Sequence, residues 1–187
     1  MGIGLGTRLG RWLVACGSLA MMPAVAEEVV LADFSAGDGA SWQIVNDTVM
    51  GGRSSSAFRV FEEALVFSGT LNTNGGGFAS VRSGPLVVRG TAQNVVRVRV
   101  KGDGRQYQLR LYSAATGTTY RARFDSTDDW QTIDLPLAAF EPTWRGRLLD
   151  RPPIEPADVG GLGVLLADGK DGEFSVAVAW VKLVETD

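Results

Sequence analysis

Three stretches in the middle of the chain alternate apolar and polar residues with a period of two. Residues 96–101 read Val-Arg-Val-Arg-Val-Lys, and residues 106–111 and 120–125 repeat the pattern with Tyr, Leu, Ala and Phe against Gln, Arg and Asp. Successive side chains of a β-strand point to opposite faces, so these stretches predict antiparallel strands with one buried face and one wet face. The polar positions predict one arginine-rich sheet face, made of Arg97, Arg99, Arg110, Arg121 and Arg123. This face either binds a ligand or is a solvated face that the chain's many acids screen.

The remainder of residues 27–187 consists of short apolar runs separated by glycine-rich turns. Runs at 57–61 and 64–68 flank two glutamates and predict a compact hairpin, whereas residues 141–158 hold four prolines and predict a long irregular loop. No stretch shows a sustained helical period. About ten short strands with hardly any helix predict an all-β fold, an antiparallel two-sheet jelly-roll sandwich.

The first 26 residues have the composition of a targeting segment. They contain two arginines and no acid, and then a nearly apolar run that ends in Ala-Val-Ala. This order is typical of a secretory signal peptide, so we expect cleavage after Ala26 and a periplasmic or secreted protein without a membrane span. Acylation at Cys16, a transit peptide and an uncleaved anchor are the alternatives. The predicted organisation is a leader at 1–26 and a single β-sandwich domain at 27–187.

The residue types that are missing restrict the chemistry. The sequence has no histidine, and its only cysteine lies in the predicted leader. Catalysis by histidine or cysteine and zinc sites with those ligands are therefore excluded. Removing the leader takes two of the 18 basic residues and none of the 21 acidic ones, which leaves a formal charge of −5. We expect no binding to nucleic acid, no catalytic residues and no metal or other cofactor.

Residues 168–173, Asp-Gly-Lys-Asp-Gly-Glu, are the one candidate metal site that the sequence suggests. They resemble part of a calcium loop, but a hairpin turn on Asp-Gly explains the same residues.

Residues 42–56 combine an aromatic residue, a carboxylate, a glycine pair and three serines. We interpret them as a strand, a tight turn and a return strand, in which Gly51 and Gly52 supply the positive φ of a short hairpin connection. Asn46 and Asp47 can accept hydrogen bonds from the nearby backbone. We expect Asp47 to be buried and to hold its own turn rather than to contact a ligand.

The same region begins an ordered set of motifs. Asn-Asp-Thr-Val-Met-Gly-Gly-Arg-Ser at 46–54 is followed by Phe-Ser-Gly at 67–69, Gly-Gly-Phe-Ala-Ser-Val-Arg at 76–82, Gly-Asp-Gly-Arg at 102–105 with Tyr107, and Trp130 with Leu-Pro at 135–136 and Phe140. This set resembles the complex I intermediate-associated protein 30 family over nearly all of residues 27–187. The resemblance implies a galactose-binding domain-like sandwich and a non-catalytic assembly chaperone that binds folding intermediates of respiratory complex I.

The resemblance also implies a binding surface at the residues that match the family's motifs. These are Asp47, Met50, Gly51, Gly52, Arg53, Gly77, Phe78, Arg82, Asp103, Gly104, Arg105 and Tyr107. The family's mitochondrial members work in the matrix, whereas this chain is expected to be exported, so the resemblance leaves the client open.

Two functions remain open. In the first, the protein is a protein-binding or assembly factor whose surface includes residues 47–54, residues 75–82 and Trp144, with a respiratory-chain intermediate as one candidate client. In the second, it is a carbohydrate-binding module that contacts a glycan through Trp144, Tyr112 or the arginine face. Exposed aromatics at a concave site favour a glycan, and an apolar patch rimmed by polar groups favours a protein.

Two further alternatives bear on these functions. Trp144 either is exposed for contact or folds back to plug one end of the sandwich. A carboxylate-dependent glycoside hydrolase, the third functional hypothesis, would need two acids facing each other in a cleft.

Overall fold

The computed structural model describes residues 1–2, 28–35, 37, 41–89 and 93–186. Most of the predicted leader lies outside these ranges, so its cleavage and the export of the protein stay predictions. Within the described residues, no helix has the length and apolar character needed to cross a membrane.

The secondary structure of the described residues is almost wholly β. Thirteen strands occur there: β1 (Val29–Asp33), β2 (Gln43–Ile44), β3 (Ser55–Phe61), β4 (Ala64–Leu71), β5 (Ala79–Arg82), β6 (Val95–Gly102), β7 (Gln106–Ser113), β8 (Thr119–Asp125), β9 (Gln131–Pro136), β10 (Glu141–Trp144), β11 (Arg147–Leu148), β12 (Val159–Leu166) and β13 (Gly172–Val184). Single 3₁₀ turns at Asp47–Met50, Leu137–Ala139 and Pro156–Asp158 lie in the connections.

The strands form two antiparallel sheets. The six-stranded sheet has the order β3-β4-β13-β6-β9, with β1 also paired to β13, and the seven-stranded sheet has the order β11-β10-β8-β7-β12-β5-β2. The inward faces of both sheets share one core, in which Val98 of β6, Leu109 of β7 and Leu162 of β12 are completely buried. Full burial of such a side chain contributes about 1.5–3 kcal/mol. The predicted all-β, two-sheet jelly-roll sandwich is confirmed.

The prediction of one arginine-rich face is wrong. Strand β6 lies in the six-stranded sheet, whereas β7 and β8 lie in the seven-stranded sheet. Arg97 and Arg99 are therefore on one outer face of the sandwich, and Arg110, Arg121 and Arg123 are on the other. The alternation tells which side of a strand meets the core, but it does not tell which sheet the strand joins.

The predicted hairpin at residues 42–56 is also wrong. Strand β2 pairs with β5 in the seven-stranded sheet, and β3 pairs with β4 in the six-stranded sheet. The segment between them crosses the sandwich through the 3₁₀ turn Asp47–Met50, which ends at Gly51 with φ of +89°. Glycine tolerates that left-handed conformation, so the positive φ was correctly expected at Gly51, although it closes a helical turn instead of a hairpin. At Gly52 the expectation is wrong, because its φ is not positive.

Three other connections differ in how well they were predicted. The hairpin of β3 and β4 is confirmed, and Glu62 and Glu63 form its turn with φ of +48° and +59°. Residues 141–158 are not one irregular loop, because β10 and β11 pair within them. Residues 168–173 do not form a hairpin, since they join β12 of one sheet to β13 of the other.

Candidate functional site

Asp47 is completely buried at the point where the chain crosses between the sheets. Its carboxylate accepts hydrogen bonds from the Ser54 amide at 2.9 Å, the Ser54 hydroxyl at 2.6 Å, the Gly77 amide at 2.6 Å and the Phe78 amide at 3.3 Å. We call this group of four residues the Asp47 junction. Asp47 is buried as predicted, but it ties a second loop, residues 72–78, to its own segment.

Two glycines make room for the Asp47 carboxylate. A Cβ atom at Gly52 would lie 2.3 Å from Asp47 Cγ, and one at Gly76 would lie 2.3 Å from Asp47 Oδ2. Burial by itself raises the pKa of Asp47, but the hydrogen bonds from Ser54, Gly77 and Phe78 outweigh it, so the pKa lies below its usual value. Asp47 is thus an ionised structural group.

A second cluster fixes the crossing from β6 to β7. Tyr107 donates its hydroxyl to Asp103 at 3.0 Å, and the Ser175 amide donates to the same carboxylate at 2.7 Å. Arg105 forms a two-point ion pair with Asp168, with Nε–Oδ2 at 3.0 Å and Nη2–Oδ1 at 2.6 Å. This Asp103–Arg105 cluster therefore joins the turn before β7 to the connection before β13.

The Asp168 carboxylate is engaged by Arg105. Burial by itself raises the pKa of Asp168, but the hydrogen bonds from Arg105 and from the Lys170 amide outweigh that effect, so the pKa lies below its usual value. No group of described acidic, histidine or cysteine residues has an arrangement that could hold a metal ion.

The outer face of the seven-stranded sheet forms a groove of about 630 Å³. We call it the arginine groove; its described lining comprises Met50, Gly76, Gly77, Phe78, Arg82, Gln108, Arg110, Gly117, Thr119, Arg121, Arg123, Trp144, Arg145, Gly146, Leu165 and Ala167. Strands β5, β12, β7 and β8 supply its floor. From β5 to β8 there are three strand spacings, so the floor is roughly 14 Å wide.

A row of paired residues crosses this floor. Arg82 of β5 lies opposite Gly163 of β12, Gly163 opposite Arg110 of β7, Arg110 opposite Arg121 of β8, and Arg121 opposite Glu141 of β10. Residues opposite each other on neighbouring strands have their side chains on the same face. The fold thus places three guanidinium groups and one carboxylate in a single line.

The arginines of the row differ in their partners. Arg121 Nε lies 3.0 Å from Glu141 Oε2, and Arg123 approaches the same oxygen at 3.7 Å. Among the described residues, Arg110 donates a side-chain hydrogen bond to Gln108 Oε1, at 3.2 Å. Within the described part of the chain, Arg82 and Arg110 form no ion pair, and the Nε atoms of both are buried without a hydrogen-bond partner.

Tyr112 lies over the glycines of β12. A Cβ atom at Gly163 would be 3.2 Å from Tyr112 Oη, and one at Gly161 would be 3.5 Å from its ring. The hydroxyl is buried, and it too lacks a partner among the described residues. The central carbon of the Arg82 guanidinium lies 5.4 Å from the centre of the Tyr112 ring. Tyr112 therefore packs against β12 beside the lining of the groove and is not an exposed platform.

The sequence-predicted site residues fall into separate places. Met50, Gly77, Phe78, Arg82 and Trp144 line the arginine groove. Asp47 and Gly52 belong to the first crossing, and Asp103, Arg105 and Tyr107 belong to the second. Gly51 and Gly104 occupy turns with positive φ. Arg53 is exposed beside the Asp47 junction.

Trp144 is exposed over 55% of its surface, so it does not plug the sandwich. The Arg145 guanidinium lies 4.6 Å from the centre of its ring. Gln108, Arg110, Arg121 and Arg123 also line the groove. The family motifs did not include them, and the three arginines were predicted only as part of a single arginine face. Their signal was the period-two alternation, but it could not separate them from Arg97 and Arg99 on the other sheet.

The comparisons with solved structures found carbohydrate-binding modules. A family 11 carbohydrate-binding module from Clostridium thermocellum, in complex with a β-1,3-1,4-mixed-linked tetrasaccharide, matches with a TM-score of 0.63 at 17% identity, over 87% of this chain and 98% of the module. A family 29 carbohydrate-binding module matches with a TM-score of 0.50 at 10% identity, over 85% of this chain and 92% of the module. An agarase matches with a TM-score of 0.59 at 10% identity, over 86% of this chain but 25% of the enzyme. At these identities the similarity establishes the fold.

The comparison with curated protein sequences found no significant match. A family profile described as "Complex I intermediate-associated protein 30 (CIA30)" matches residues 32–178. This match covers most of the sequence and agrees with the order of motifs at residues 46–54, 76–82 and 102–105. The chain therefore belongs to the complex I intermediate-associated protein 30 family.

Proposed function

We propose that this protein is a non-catalytic binding domain that holds a glycan in the arginine groove. The observation that carries this proposal is the groove itself, a concave polar floor with a half-exposed tryptophan at one end. Ligand sites are concave and combine a few polar groups with apolar and aromatic contact area.

The side chains of the floor suit hydroxyl groups. Gln108 and Thr119 offer both donors and acceptors, and the arginines offer donors in a fixed fork. Trp144, at the other end of the groove from Met50, offers an aromatic surface of the kind that packs against the apolar face of a sugar ring. No acidic residue occurs in the described lining, and this supports binding over carboxylate-dependent hydrolysis.

The structural relatives support the same proposal. One of the similar structures, with a TM-score of 0.63, is a carbohydrate-binding module in complex with a tetrasaccharide. This chain shares the sandwich but has its own lining residues, so the relatives bear on the type of ligand and not on its sugar composition.

Affinity electrophoresis tests this function. The purified protein would run through native gels that contain one soluble polysaccharide each, from a panel of neutral and acidic polymers. We expect retardation by at least one polymer, and we expect Trp144→Ala to abolish most of it. Trp130→Ala is the matched control, because Trp130 is 38% exposed but lies outside the groove.

Retention by no polysaccharide would overturn the glycan proposal, provided that the protein is folded by circular dichroism. Equal loss of retention in Trp144→Ala and Trp130→Ala would place the binding surface elsewhere and would also contradict it.

A protein client is the second candidate function. Family membership supports it, and so do Val49 and Met50, which are 70% and 68% exposed on the 3₁₀ turn beside the groove. Exposed apolar side chains of this kind often mark protein contacts. A pull-down from the cell envelope should then recover a defined protein with the natural sequence and lose it with a Val49→Ser, Met50→Ser double variant. Recovery of the same proteins by both would contradict this candidate.

A further inference from the structure

We propose that the arginine groove selects an acidic glycan, a polysaccharide that carries carboxylate or sulfate groups, and that Arg82, Arg110 and Arg121 bind those groups. This inference rests on the proposed glycan-binding function and specifies the class of glycan. The tests below separate the failure of one from the failure of the other.

The charge of the groove is strongly unbalanced. Five arginines occur in its described lining and no aspartate or glutamate does. Glu141 contacts Arg121 and Arg123 from the neighbouring strand and offsets one positive charge. The whole chain has a formal charge of −3, so the groove is a local positive region on an acidic protein. A concave site lined by one sign of charge concentrates ligands of the opposite sign.

Two arginines elsewhere in the chain each form a two-point ion pair with a carboxylate. Arg105 meets both oxygens of Asp168, and Arg97 meets both oxygens of Asp134 at 2.6 and 2.7 Å. Arg82 and Arg110 lack such a carboxylate within the described residues, although both are partly buried. A guanidinium that is removed from water without an anion is costly, and a bound carboxylate or sulfate would supply the missing partner.

The row geometry fits a chain that runs across the strands. Arg82 and Arg110 are two strand spacings apart and Arg110 and Arg121 are one, which corresponds to roughly 10 Å and 5 Å along the row. Gly163 lies between the first two and adds no side chain, and the Tyr112 hydroxyl occupies the space above it. A polymer with an acidic group on successive sugar units would meet one guanidinium after another.

The unpartnered Tyr112 hydroxyl lies at the same point of the row, above Gly163. Burial lowers the pKa of Arg110, and the positive charges of Arg82 and Arg121 lower it further. An anion bound among the three arginines would relieve that repulsion. The free groove is therefore electrostatically unfavourable in a way that an acidic ligand corrects.

Isothermal titration calorimetry with matched polymers tests the selection. The probes are polygalacturonate and its carboxyl-reduced form, and dextran sulfate and dextran, so that each pair differs in the acidic group. Polyglutamate serves as an acidic chain without sugar. We expect an acidic member to bind at least about tenfold more tightly than its neutral partner, because one hydrogen bond between charged groups strengthens binding by about that factor or more. The affinity should fall as salt increases.

Matched arginine variants then assign the effect to the row. We expect Arg110→Gln to weaken binding of the acidic polymer about tenfold and to leave the neutral polymer unaffected. Arg123→Gln removes an exposed arginine of the same groove and keeps the test informative if Arg110→Gln folds poorly; it should weaken binding about threefold. Arg99→Gln, on the outer face of the other sheet, is the control and should bind as the natural sequence does.

The outcomes are distinct. Equal affinity for the acidic and neutral member of each pair would overturn the selection and leave glycan binding intact. Binding to no polysaccharide would overturn glycan binding and the selection together. Binding to polyglutamate but to no polysaccharide would show that the groove takes an acidic protein segment, which also overturns the selection. Loss of affinity in Arg99→Gln equal to that in Arg110→Gln would show a nonspecific charge effect and would contradict the assigned row.

Discussion

The Asp47 junction and the arginine groove are two polar regions of one sandwich, and they differ in whether their charged side chains have partners. The Asp47 carboxylate is completely buried and accepts four hydrogen bonds from Ser54, Gly77 and Phe78. Arg82 and Arg110 are partly buried and form no ion pair within the described residues. A satisfied buried charge supports the fold, whereas an unsatisfied one is available to a ligand. The family's motif residues at the Asp47 junction thus hold the scaffold, and the proposed ligand contacts lie mainly outside them.

The largest expected effect of a substitution is at the Asp47 junction. Asp47→Ala leaves the Ser54, Gly77 and Phe78 amides without an acceptor in a buried site, so we expect it to lower the free energy of unfolding by about 3–5 kcal/mol. Chemical denaturation measures this loss. Asp128→Ala removes an exposed aspartate and is the control, with an expected change within about 0.5 kcal/mol. A loss at Asp47 no larger than the control's would mean that the junction does not hold the two loops together.

A pair of tyrosines sharpens the difference between scaffold and groove. Tyr107 donates its hydroxyl to the Asp103 carboxylate, whereas the buried Tyr112 hydroxyl beside the groove has no partner among the described residues. We expect Tyr107→Phe to lower the free energy of unfolding by about 1.5–3 kcal/mol and Tyr112→Phe to leave it nearly unchanged. Thermal or chemical denaturation of both variants checks this. Equal losses would contradict the view that the Tyr112 hydroxyl is unsatisfied.

Replacing either of two glycines by alanine should have the next smaller effect on stability. A Cβ atom at Gly76 would lie 2.3 Å from the Asp47 carboxylate, but one at Gly161 of β12 would make an ordinary 3.5 Å contact with the Tyr112 ring. We expect Gly76→Ala to cost about 1–3 kcal/mol through overpacking. Gly161→Ala should cost nothing, or should stabilise by about 0.4–1 kcal/mol, because alanine restricts the unfolded chain. A loss in Gly161→Ala as large as in Gly76→Ala would show that β12 is packed there as tightly as the junction.

The smallest expected effect is a gradual loss of folding stability as the pH falls. The pKa values of Asp47 and Asp168 are lower in the folded protein than in the unfolded chain, so these groups add stability above the unfolded pKa. That stability is lost as the pH falls below about 4 and through the folded pKa values. Urea midpoints measured between pH 7 and pH 2.5 should therefore decrease. The arginines of the groove stay charged throughout this range and should contribute nothing to the decrease.

A comparison of two variants checks the source of that acid dependence. The midpoint of Asp47→Ala should change less with pH than that of the natural sequence, whereas Arg110→Gln should follow the natural sequence. An unchanged slope in Asp47→Ala would show that Asp47 does not titrate differently in the folded and unfolded states.

The sequence predicted the candidate site only in part. Asp47 could be predicted as buried, because a carboxylate among glycines and serines has local backbone groups to accept from. Its bonds to Gly77 and Phe78 could not be predicted, since 30 and 31 residues separate them along the chain. Trp144 and Arg82, which were predicted as binding residues, line the groove, but Arg110 and Arg121 were grouped with arginines of the opposite face.

By itself, the sequence determined that this protein is an all-β sandwich and which side of each alternating strand faces the core. Both follow from a period of two, which is a local property of the backbone and needs no knowledge of the strand's neighbours. Only the tertiary structure decided that β6 and β7 lie in different sheets and that Arg82, Gly163, Arg110 and Arg121 form one row. Strand partners are set by burial across the whole core, so residues far apart in the chain became neighbours in the groove.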